Sequence, residues 1–591
     1  MESSPYRPRP DLVQLWIVSS VIAVACHHFI FRRVELDEKA AALVFIFLVT
    51  CVAILSASFV SSLCRLAVAT ASFATTSAIS ILVYRAFFHR LNRFPGPFLA
   101  RLTKLYAFKQ SQSLQYYKEL EDMHRKYGDV VRTGPRELSI KRASALAAVA
   151  ECRKSVFYGV RNSDDKMRSV FHTRDLETHK LRRRTWEFAL GQKSIASYDA
   201  AIQRSIGLLL SRLTKDTKLD SDQTRGSRDG QVVDISQLCS WLAYDVMGIV
   251  GFGRDFGNLD SGAENHAITM MKQSLKMMGQ VKPTPWLMNI MLAIPGAGGA
   301  MKQFNSYCSR LVYQKQVNWK AKSAEEKAAR PNDLMDWLLK TNEEGGPSAL
   351  PTEEALHEEI RVLVVAGSDT AHGGMTNALF YLSQRPDVYA MLQRRIDDTF
   401  PGGPSSFDYK TLASNPPSIE LLDAIINETL RLKPGVPSGN PRVTPASGLL
   451  IPGGEPCKGE GDPVNHGNGN LWIPGDVDIF MPAYLVQRDE RYFEKADMWL
   501  PERWLKSEES KGLIKDRNAW LPFQVGRYNC VGKGLAMHQL RSFLARIALQ
   551  FDISFPGGKQ GLEEFERGYK DSFNAIVPSL AMEFKERGKC P

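Results

Sequence analysis

One cysteine lies in a sequence context that favours a metal-binding thiolate. Cys530 stands in a Gly- and Pro-bearing loop at residues 521–532, and residues 535–550 then show helical periodicity. The thiol therefore comes just before a helix N-terminus, where the helix dipole and free backbone N–H groups favour a thiolate, the form that ligates metal. A buried and inert cysteine at a loop–helix junction is the competing interpretation of this segment alone.

A long helix with polar residues at its middle is predicted for residues 351–382. Thr352 is a good N-cap, and the apolar pattern then continues far beyond the mean helix of about 11–12 residues. Gly367 interrupts the pattern, and Asp369 and Thr370 follow it. Because glycine inside a helix costs about 1 kcal/mol against alanine, we expect a local backbone defect beside a polar pair that lines a site. A helix that merely exposes one polar face is the alternative.

An acid and a base share one face of a further predicted helix. Glu428 and Arg431 stand at positions i and i+3 and can pair. By itself this spacing is typical of an ordinary surface ion pair. Arg503, in a Pro-Glu-Arg-Trp segment, supplies another base downstream.

A basic helix is predicted around His179. His179 and Arg183 stand at i and i+4 and face one way, whereas Arg182 and Arg184 face elsewhere. This pattern favours a helix with one side holding an internal anion and the other offering a positive docking patch. A solvated basic helix is the alternative.

The N-terminal part of the chain differs from the rest. Residues 12–31, 41–63 and 66–84 are apolar runs, each about long enough to cross a hydrocarbon core as a helix. We expect one to three transmembrane helices, with more than one favoured, although an interfacial helix is the alternative for the first run. By the positive-inside rule, the flank after the last run is cytoplasmic, since it carries four arginines: Arg85, Arg90, Arg93 and Arg101.

The domain organisation follows from these runs and from proline. We expect a membrane anchor at residues 1–90, a proline-containing hinge at 91–98, and a catalytic body at 99–591 with long helices and a few short β segments. Polar residues 215–231 predict a surface loop. Gly-rich residues 453–470 predict an insertion in a β region.

Composition excludes several classes of protein. The chain has 591 residues, of which 44% are hydrophobic and 24% charged, which excludes wholesale disorder and fibrous repeats. The net charge of +11 suits an acidic protein, anionic lipid or nucleic acid and selects none of them. Nine cysteines without CxxC spacing do not form a secreted disulfide framework or a zinc site.

Taken in order, these segments resemble the cytochrome P450 superfamily of haem-thiolate monooxygenases, and most closely its membrane-bound fungal members. The resemblance runs from Phe94 to near the C-terminus. The cysteine loop matches the motif F-x-x-G-x-x-x-C-x-G, and the central helix matches A-G-x-D-T. Glu428 and Arg431 match E-x-x-R, and Arg503 matches the third member of a structural Glu-Arg-Arg network.

The resemblance implies a mainly α (α+β) fold: a helical haem domain with small β-sheets, preceded by transmembrane helices. It implies that Cys530 is the axial thiolate of a haem b iron and that Phe523 packs against the haem. Asp369 and Thr370 would organise water and deliver protons to dioxygen. The haem propionates would be bound by three residues: His179, Arg183 and Arg442.

Two positions depart from the family pattern. Tyr528 stands two residues before the cysteine, where the family usually has an arginine that contacts a propionate, so that contact is in doubt. Gln487 replaces the first residue of a common His-Arg-Asp.

The activity implied is insertion of one oxygen atom from O2 into a lipophilic substrate, such as a terpenoid or polyketide intermediate of fungal secondary metabolism. Because no dinucleotide or flavin segment is evident, we expect NADPH electrons to arrive through a separate cytochrome P450 reductase, with cytochrome b5 as a second donor. We expect an endoplasmic reticulum membrane, a cytosolic catalytic domain and no nucleic-acid partner. The alternatives are a haem-thiolate isomerase or dehydratase without O2 chemistry, and a haem-free membrane-tethered binding protein.

A methionine-rich segment accompanies Trp286. The resemblance places it over the substrate access channel, where methionine adapts its shape to apolar ligands. Packing in the core or on a membrane surface is the alternative. The residues are Met270, Met271, Met277, Met278, Met288 and Met291.

Overall fold

The computed structural model describes seven stretches of the chain. It is mainly α with small β-sheets, as the sequence predicts. The described residues are 10–32, 39–57, 61–160, 164–219, 231–296, 298–453 and 470–588.

Each of the three N-terminal apolar runs forms a helix. Short π-helical turns extend the first to Phe31 and the third to Phe88. Within the described residues, Asp11–Phe31 and Cys64–Phe88 are long and apolar enough to span a membrane, whereas Ala40–Val49 is shorter. The helices are α1 (Pro10–Cys26), α2 (Ala40–Ala57) and α3 (Ser61–Val83).

Helices α1 and α3 pack side by side through polar as well as apolar contacts. Thr76 Oγ1 donates a 3.0 Å hydrogen bond to Ser20 Oγ, and His27 Nδ1 lies 2.7 Å from Ser80 Oγ. The outward faces are apolar, and the Trp16 side chain is 55% exposed. Because large apolar surfaces of this kind are rarely left in water, they are suited to lipid.

The body contains many helices of very different lengths. A further helix of spanning length, Ile235–Phe252, is 94% buried and belongs to the core. The helices are α4 (Phe98–Leu102), α5 (Leu105–Ser111), α6 (Tyr116–Tyr127), α7 (Leu146–Ala150), α8 (Leu176–Ala189), α9 (Gln192–Leu219), α10 (Ile235–Phe252), α11 (Asn258–Ser261), α12 (His266–Val281), α13 (Pro285–Ala293), α14 (Gly299–Ala321), α15 (Ala324–Ala328), α16 (Leu334–Glu344), α17 (Glu353–Gln384), α18 (Pro386–Thr399), α19 (Tyr409–Ala413), α20 (Pro416–Leu432), α21 (Ala483–Val486), α22 (Lys533–Gln550) and α23 (Gly558–Gly568).

Short strands form the small sheets. The strands are β1 (Val130–Gly134), β2 (Glu137–Ile140), β3 (Arg153–Lys154), β4 (Gln231–Asp234), β5 (Arg442–Val443), β6 (Leu449–Ile451), β7 (Leu471–Ile473), β8 (Asp478–Phe480), β9 (Phe551–Ser554), β10 (Lys570–Ser572), β11 (Asn574–Ile576) and β12 (Ala581–Glu586). In the described part of the chain, a five-stranded sheet has the order β1-β2-β8-β5-β3, with β2 and β8 parallel. A three-stranded sheet has the order β4-β12-β9, and the pairs β6-β7 and β10-β11 form two hairpin-like ribbons.

The joint between anchor and body is packed onto the five-stranded sheet. Phe94 is fully buried, and the Pro95 carbonyl accepts a 2.7 Å hydrogen bond from Arg132 N in β1. A Cβ on Gly96 would lie 2.3 Å from the Arg132 carbonyl oxygen, so only glycine allows this approach. The hinge and the domain bounds drawn from the sequence stay predictions.

Helix α17 crosses the middle of the main core. Thr352 Oγ1 accepts from Ala355 N at 3.2 Å, which makes Thr352 the N-cap as predicted. The expected backbone defect at Gly367 is wrong, because α17 is continuous there. Gly367 instead allows Met247 of α10 to pack closely against α17, because a Cβ added at Gly367 would lie 2.2 Å from the Met247 sulfur.

Two predicted loops fall largely beyond the described residues. Residues 220–230 and 454–469 lie outside them. At the rim of the second loop, Gly453 N donates a 2.6 Å hydrogen bond to Asn470 Oδ1.

Candidate active site around Cys530

The Cys530 loop is a tight turn fastened by its own backbone. Cys530 N donates a 2.8 Å hydrogen bond to the Phe523 carbonyl. Gly526 has φ +71°, a conformation that favours glycine, and an added Cβ would lie 2.8 Å from Ala150 Cβ. Phe523 itself packs edge-to-face on Trp520 at 6.0 Å. The loop thus holds Cys530 and Phe523 at a fixed separation.

The Cys530 thiol lies three residues before Lys533, the first residue of α22, and so just before a helix N-terminus, as predicted. Its side chain is solvent-accessible, yet the surrounding protein atoms partly desolvate the sulfur, and this raises the pKa of the thiol. Hydrogen bonds from the backbone N–H groups of Gly532 and Lys533 lower that pKa, as do the charges of Arg183 and Lys533. These donors are suited to a thiolate that shares its charge with a metal.

Arg183 of α8 forms hydrogen bonds with Asn529, the residue before the cysteine. Its guanidinium donates to the Asn529 carbonyl at 2.7 Å and to Asn529 Oδ1 at 2.6 Å. Its Nε donates to Glu187 at 2.8 Å. Arg183 therefore orients the cysteine loop in addition to bringing positive charge to it.

A cluster of basic side chains surrounds the Tyr528 ring. The His179 ring packs edge-to-face on it at 4.7 Å, and the Arg442 guanidinium carbon lies 4.9 Å from its centroid. Burial, together with the charges of Lys154, Arg183 and Arg442, lowers the pKa of His179 to about 3. The structure thus brings together all three residues predicted to bind propionates.

Lys154 and Tyr158 belong to this cluster and were missed by the sequence analysis. The Lys154 ammonium lies 5.0 Å from the Tyr528 centroid, and burial and the Arg442 charge hold its pKa well below the usual range. Arg442 donates to Tyr158 Oη at 3.1 Å. Lys154 is in β3, which pairs with Arg442 in β5, so only the sheet register reveals the association.

These residues fit a haem with two propionates. Buried basic groups crowd one side of the Cys530 loop, and burial together with the neighbouring positive charges lowers the pKa values of Lys154 and His179. Carboxylates of a bound group would offset those charges. A sulfur ligand with a basic cluster beside its loop is the donor set that such a group requires.

The predicted docking patch on α8 needs one correction. Arg182 is buried, and donates to the Arg168 carbonyl and, at 2.9 Å, to Thr173 Oγ1. The i,i+3 and i,i+4 pattern could not show that a loop covers this face. Arg184 is exposed, as predicted.

The Asp369 carboxylate points from α17 toward α10. Tyr244 Oη donates a 2.7 Å hydrogen bond to Asp369 Oδ1. Burial raises the pKa of Asp369, while the hydrogen bond from Tyr244 and the charge of Lys272 oppose that rise. Asp369 is therefore a carboxyl whose pKa lies above its ordinary value, which favours a role in proton transfer.

Thr370 makes a separate contact. Its hydroxyl donates to the Ala366 carbonyl at 2.8 Å, one turn back along α17. A Cβ on Gly435 would lie 3.3 Å from the Thr370 methyl group, so the chain after α20 runs close beside it. The acid and the hydroxyl are sequence neighbours with different hydrogen-bond partners.

The Glu428 network is fully buried. Glu428 accepts from Arg431 at 2.8 and 2.9 Å and from Arg503 at 2.9 Å, and all three side chains are 0% exposed. Burial would raise the pKa of Glu428, but the hydrogen bonds and charges of the two arginines leave it lowered. This network is not the surface pair that the spacing alone suggested.

Gln487 connects this network to the cysteine loop. Its amide nitrogen donates to the Arg431 carbonyl at 2.9 Å, and its Oε1 accepts from Leu521 N at 2.6 Å. Gln487 thus performs a bridging role with both of its amide atoms.

Comparison with known proteins agrees with this geometry. The family model described as Cytochrome P450 matches residues 95–572. The cytochrome P450 monooxygenase FCK2 of Fusarium pseudograminearum is 30% identical over 588 residues, which cover 96% of this chain and 97% of that protein. The cytochrome P450 monooxygenase orf5 of Eupenicillium brefeldianum is 31% identical over 519 residues, which cover 86% of this chain and 94% of that protein.

The fold is also similar to a solved structure. The crystal structure of the cytochrome P450DA heme domain superposes with a TM-score of 0.59 at 15% identity. The match covers 80% of this chain and 92% of that one. At this identity the similarity establishes the fold.

Proposed function

This chain belongs to the cytochrome P450 family, and from that membership we propose a haem-thiolate monooxygenase whose iron is ligated by Cys530. The chain is an oxidoreductase that uses haem iron, like the fungal monooxygenases it resembles. The observation that carries the assignment of the site is the Cys530 loop, with a buried basic cluster against it.

The cofactor we propose is haem b. Cys530 would ligate its iron, Phe523 would pack beside the sulfur, and the propionates would meet His179, Arg183 and Arg442. Lys154 joins this set, because its charge lies beside Tyr528, where the family usually has an arginine. When bound, the haem supplies activation of O2 and transfer of one oxygen atom to the substrate.

The chain's own part in the reaction is to bind, orient and supply protons. Asp369 would transfer protons through its carboxyl, and burial, which raises its pKa, favours that role. Thr370 is placed to orient water through a hydroxyl now bonded to Ala366. A buried acid followed by a hydroxyl on the same helix argues against the isomerase or dehydratase alternative.

The redox partner is proposed to be an NADPH-dependent P450 reductase, with cytochrome b5 as a second donor. Exposed bases lie on α8 and beside the cysteine loop: Lys180, Arg184 and Lys533. A positive surface here would attract an acidic partner and raise its association rate. Electrons would then enter on the side of the protein that carries the Cys530 sulfur.

The N-terminal helices associate the chain with a membrane, which we propose is the endoplasmic reticulum, with the body on the cytosolic side. Helix α13 contacts α2, and Asn289 Oδ1 of α13 accepts from Ala41 N at 3.0 Å. Leu292 and Ile294 beside it are 46% and 53% exposed. Leu292 and Ile294 would thus face the lipid, which favours a lipophilic substrate, proposed to be a fungal secondary metabolite.

The test is a reduced carbon-monoxide difference spectrum of membranes that contain the full chain. We expect the red-shifted Soret band of a thiolate-ligated haem and its loss in Cys530→Ala. The exposed Cys64 lies in the anchor, so Cys64→Ala is the matched control and should keep the band. A full band in Cys530→Ala, or well-expressed protein without haem, would contradict the assignment, and the second result would favour the haem-free binding protein.

A further inference from the structure

A cavity of about 100 Å³ opens beside the middle of α17. Val365 and Ala366 of α17 form one wall, one turn before Thr370. The opposite walls are mostly aromatic and thioether groups, which suit flat apolar molecules. They are Phe157, Phe171, Met278, Met288, Met301 and Phe573.

Three aromatic rings in this wall form a clamp centred on Phe573. Phe157 stacks on Phe573 at 5.7 Å with an interplanar angle of 21°, and Phe171 meets it edge-on at 5.5 Å. Phe573 has φ +94°, a strained conformation for a bulky residue. Such strain persists where the surroundings fix the residue, and it is concentrated at ligand-binding sites.

The strained turn is held by Asp571. Its Oδ1 accepts a 3.2 Å hydrogen bond from Phe573 N, and its Oδ2 accepts from Ser438 Oγ. Asp571 N in turn donates to the Leu114 carbonyl at 2.7 Å. The ring of Phe573 is therefore fixed before any ligand arrives.

Lys282, just after α12, brings one cation to this clamp. Its ammonium lies 5.4 Å from the Phe573 centroid and 3.7 Å from Asp571 Oδ1. Among the described residues this buried nitrogen has no hydrogen-bond partner, although its side chain is only 15% exposed. Because a buried donor without an acceptor is costly, a ligand acceptor at this position would be bound strongly.

The charge balance indicates what kind of acceptor fits. Asp571 offsets the charge of Lys282. The other basic side chain of the wall, Arg361, pairs with Glu354 and Glu358 at 2.7 and 2.6 Å. Among the described residues, acidic partners thus offset both the lysine and the arginine of the wall, so a neutral carbonyl oxygen is a better match than a carboxylate.

We propose that Lys282 selects substrates that present a flat, apolar ring bearing a carbonyl group, with the ring packed against the aromatic clamp and the oxygen on the ammonium. This inference rests on the proposed function, since it names the substrate class of the same site. Lys282 is a specificity-determining residue in this arrangement.

The experiment compares two probes of nearly equal shape, acetophenone and α-methylstyrene, which differ by C=O against C=CH2. Equilibrium dialysis of the purified haem-loaded chain, without any electron donor, gives both dissociation constants. The preference for the ketone is the ratio of these two constants. We expect Lys282→Met to reduce it about tenfold, because the variant loses one charged hydrogen bond to the carbonyl oxygen. Lys282→Arg should restore part of it. Lys276→Met, at an exposed lysine of α12, is the matched control and should change neither constant.

Each result has a defined meaning. An unchanged preference in Lys282→Met, or a wild-type chain that binds neither probe, would overturn this inference. The carbon-monoxide spectrum of the same samples separates this result from a failure of the proposed function. Protein with the red-shifted band and no effect of Lys282 contradicts the substrate class alone, whereas protein without haem contradicts the monooxygenase.

Discussion

Tyr244 Oη donates a 2.7 Å hydrogen bond to Asp369 Oδ1, and this contact joins α10 to α17. Tyr244 is fully buried and Asp369 is half-buried, and burial raises the pKa of each. The bond helps to fix the direction of the carboxyl, together with a hydrogen bond from the Asn574 side chain. We infer that Tyr244 positions the proposed proton donor.

Tyr244→Phe is expected to shift the pH dependence of turnover. Burial raises the pKa of Asp369, and the Tyr244 hydrogen bond lowers it, so loss of the hydroxyl should raise that pKa further. Because the protonated donor then persists to higher pH, the alkaline limb of the pH–turnover profile should move to higher pH. The expected shift is about one pH unit, since one pKa unit corresponds to about the free energy of one hydrogen bond. The measurement is product formed per NADPH across pH.

The control for this change is Tyr307→Phe, which removes a hydroxyl that bonds to Asn265 at 3.2 Å, away from Asp369. It should leave the pH profile unchanged. An alkaline limb that stays in place in Tyr244→Phe, or moves downward, would show that the tyrosine does not tune Asp369.

Thr370→Ala should uncouple NADPH consumption from product formation. Its hydroxyl donates to the Ala366 carbonyl, and its loss removes the group proposed to orient water for proton delivery. We expect about a tenfold lower yield of product per NADPH with haem content unchanged. Thr341→Ala removes the same kind of bond, at 2.8 Å to Trp337 in α16, and should leave coupling intact. Unchanged coupling in Thr370→Ala would place proton delivery elsewhere.

Arg431→Met is expected to destabilise the body. It leaves the buried Glu428 with one arginine fewer, and breaking a buried pair costs about 3–5 kcal/mol. Chemical unfolding of detergent-solubilised protein measures the loss. Lys511→Met breaks an exposed pair with Glu508, and should cost less than about 1 kcal/mol. Equal losses in the two variants would contradict a structural role for the Glu428 network.

Local patterns predicted much of the fold and of the site. The periodicity before Pro386, the N-cap at Thr352 and the loop–helix junction at Cys530 each depend on residues close in sequence, and the structure has all three. The uncharged N-terminal runs likewise predict helices, because a membrane span is a property of one continuous segment.

The contacts that complete the site could not be predicted in this way. Tyr244 meets Asp369, and Lys154 meets Arg442, across long stretches of chain that only helix packing and sheet register bring together. The burial of Arg182 depends on a loop that folds over α8. The periodicity of a sequence shows which side of a helix a residue occupies, but it does not show which other segment of the chain covers that side.

Arg183→Ala should weaken thiolate ligation through the loop it holds. The guanidinium makes hydrogen bonds of 2.7 and 2.6 Å to Asn529, the residue before Cys530, so its loss frees the cysteine to leave its position. We expect a larger fraction of haem without the red-shifted carbon-monoxide band, with a loss of about 1.5–3 kcal/mol in haem binding. Arg183→Lys should recover little, since one ammonium does not reproduce the paired geometry of the guanidinium.

Arg184→Ala provides the matched control, because this neighbouring arginine is exposed and its loss should leave the carbon-monoxide spectrum unchanged. It should instead slow reduction by the reductase, more at low ionic strength than at high, since surface charges are screened by salt. A normal band in Arg183→Ala would show that the backbone of residues 523–530 positions the sulfur without help from α8.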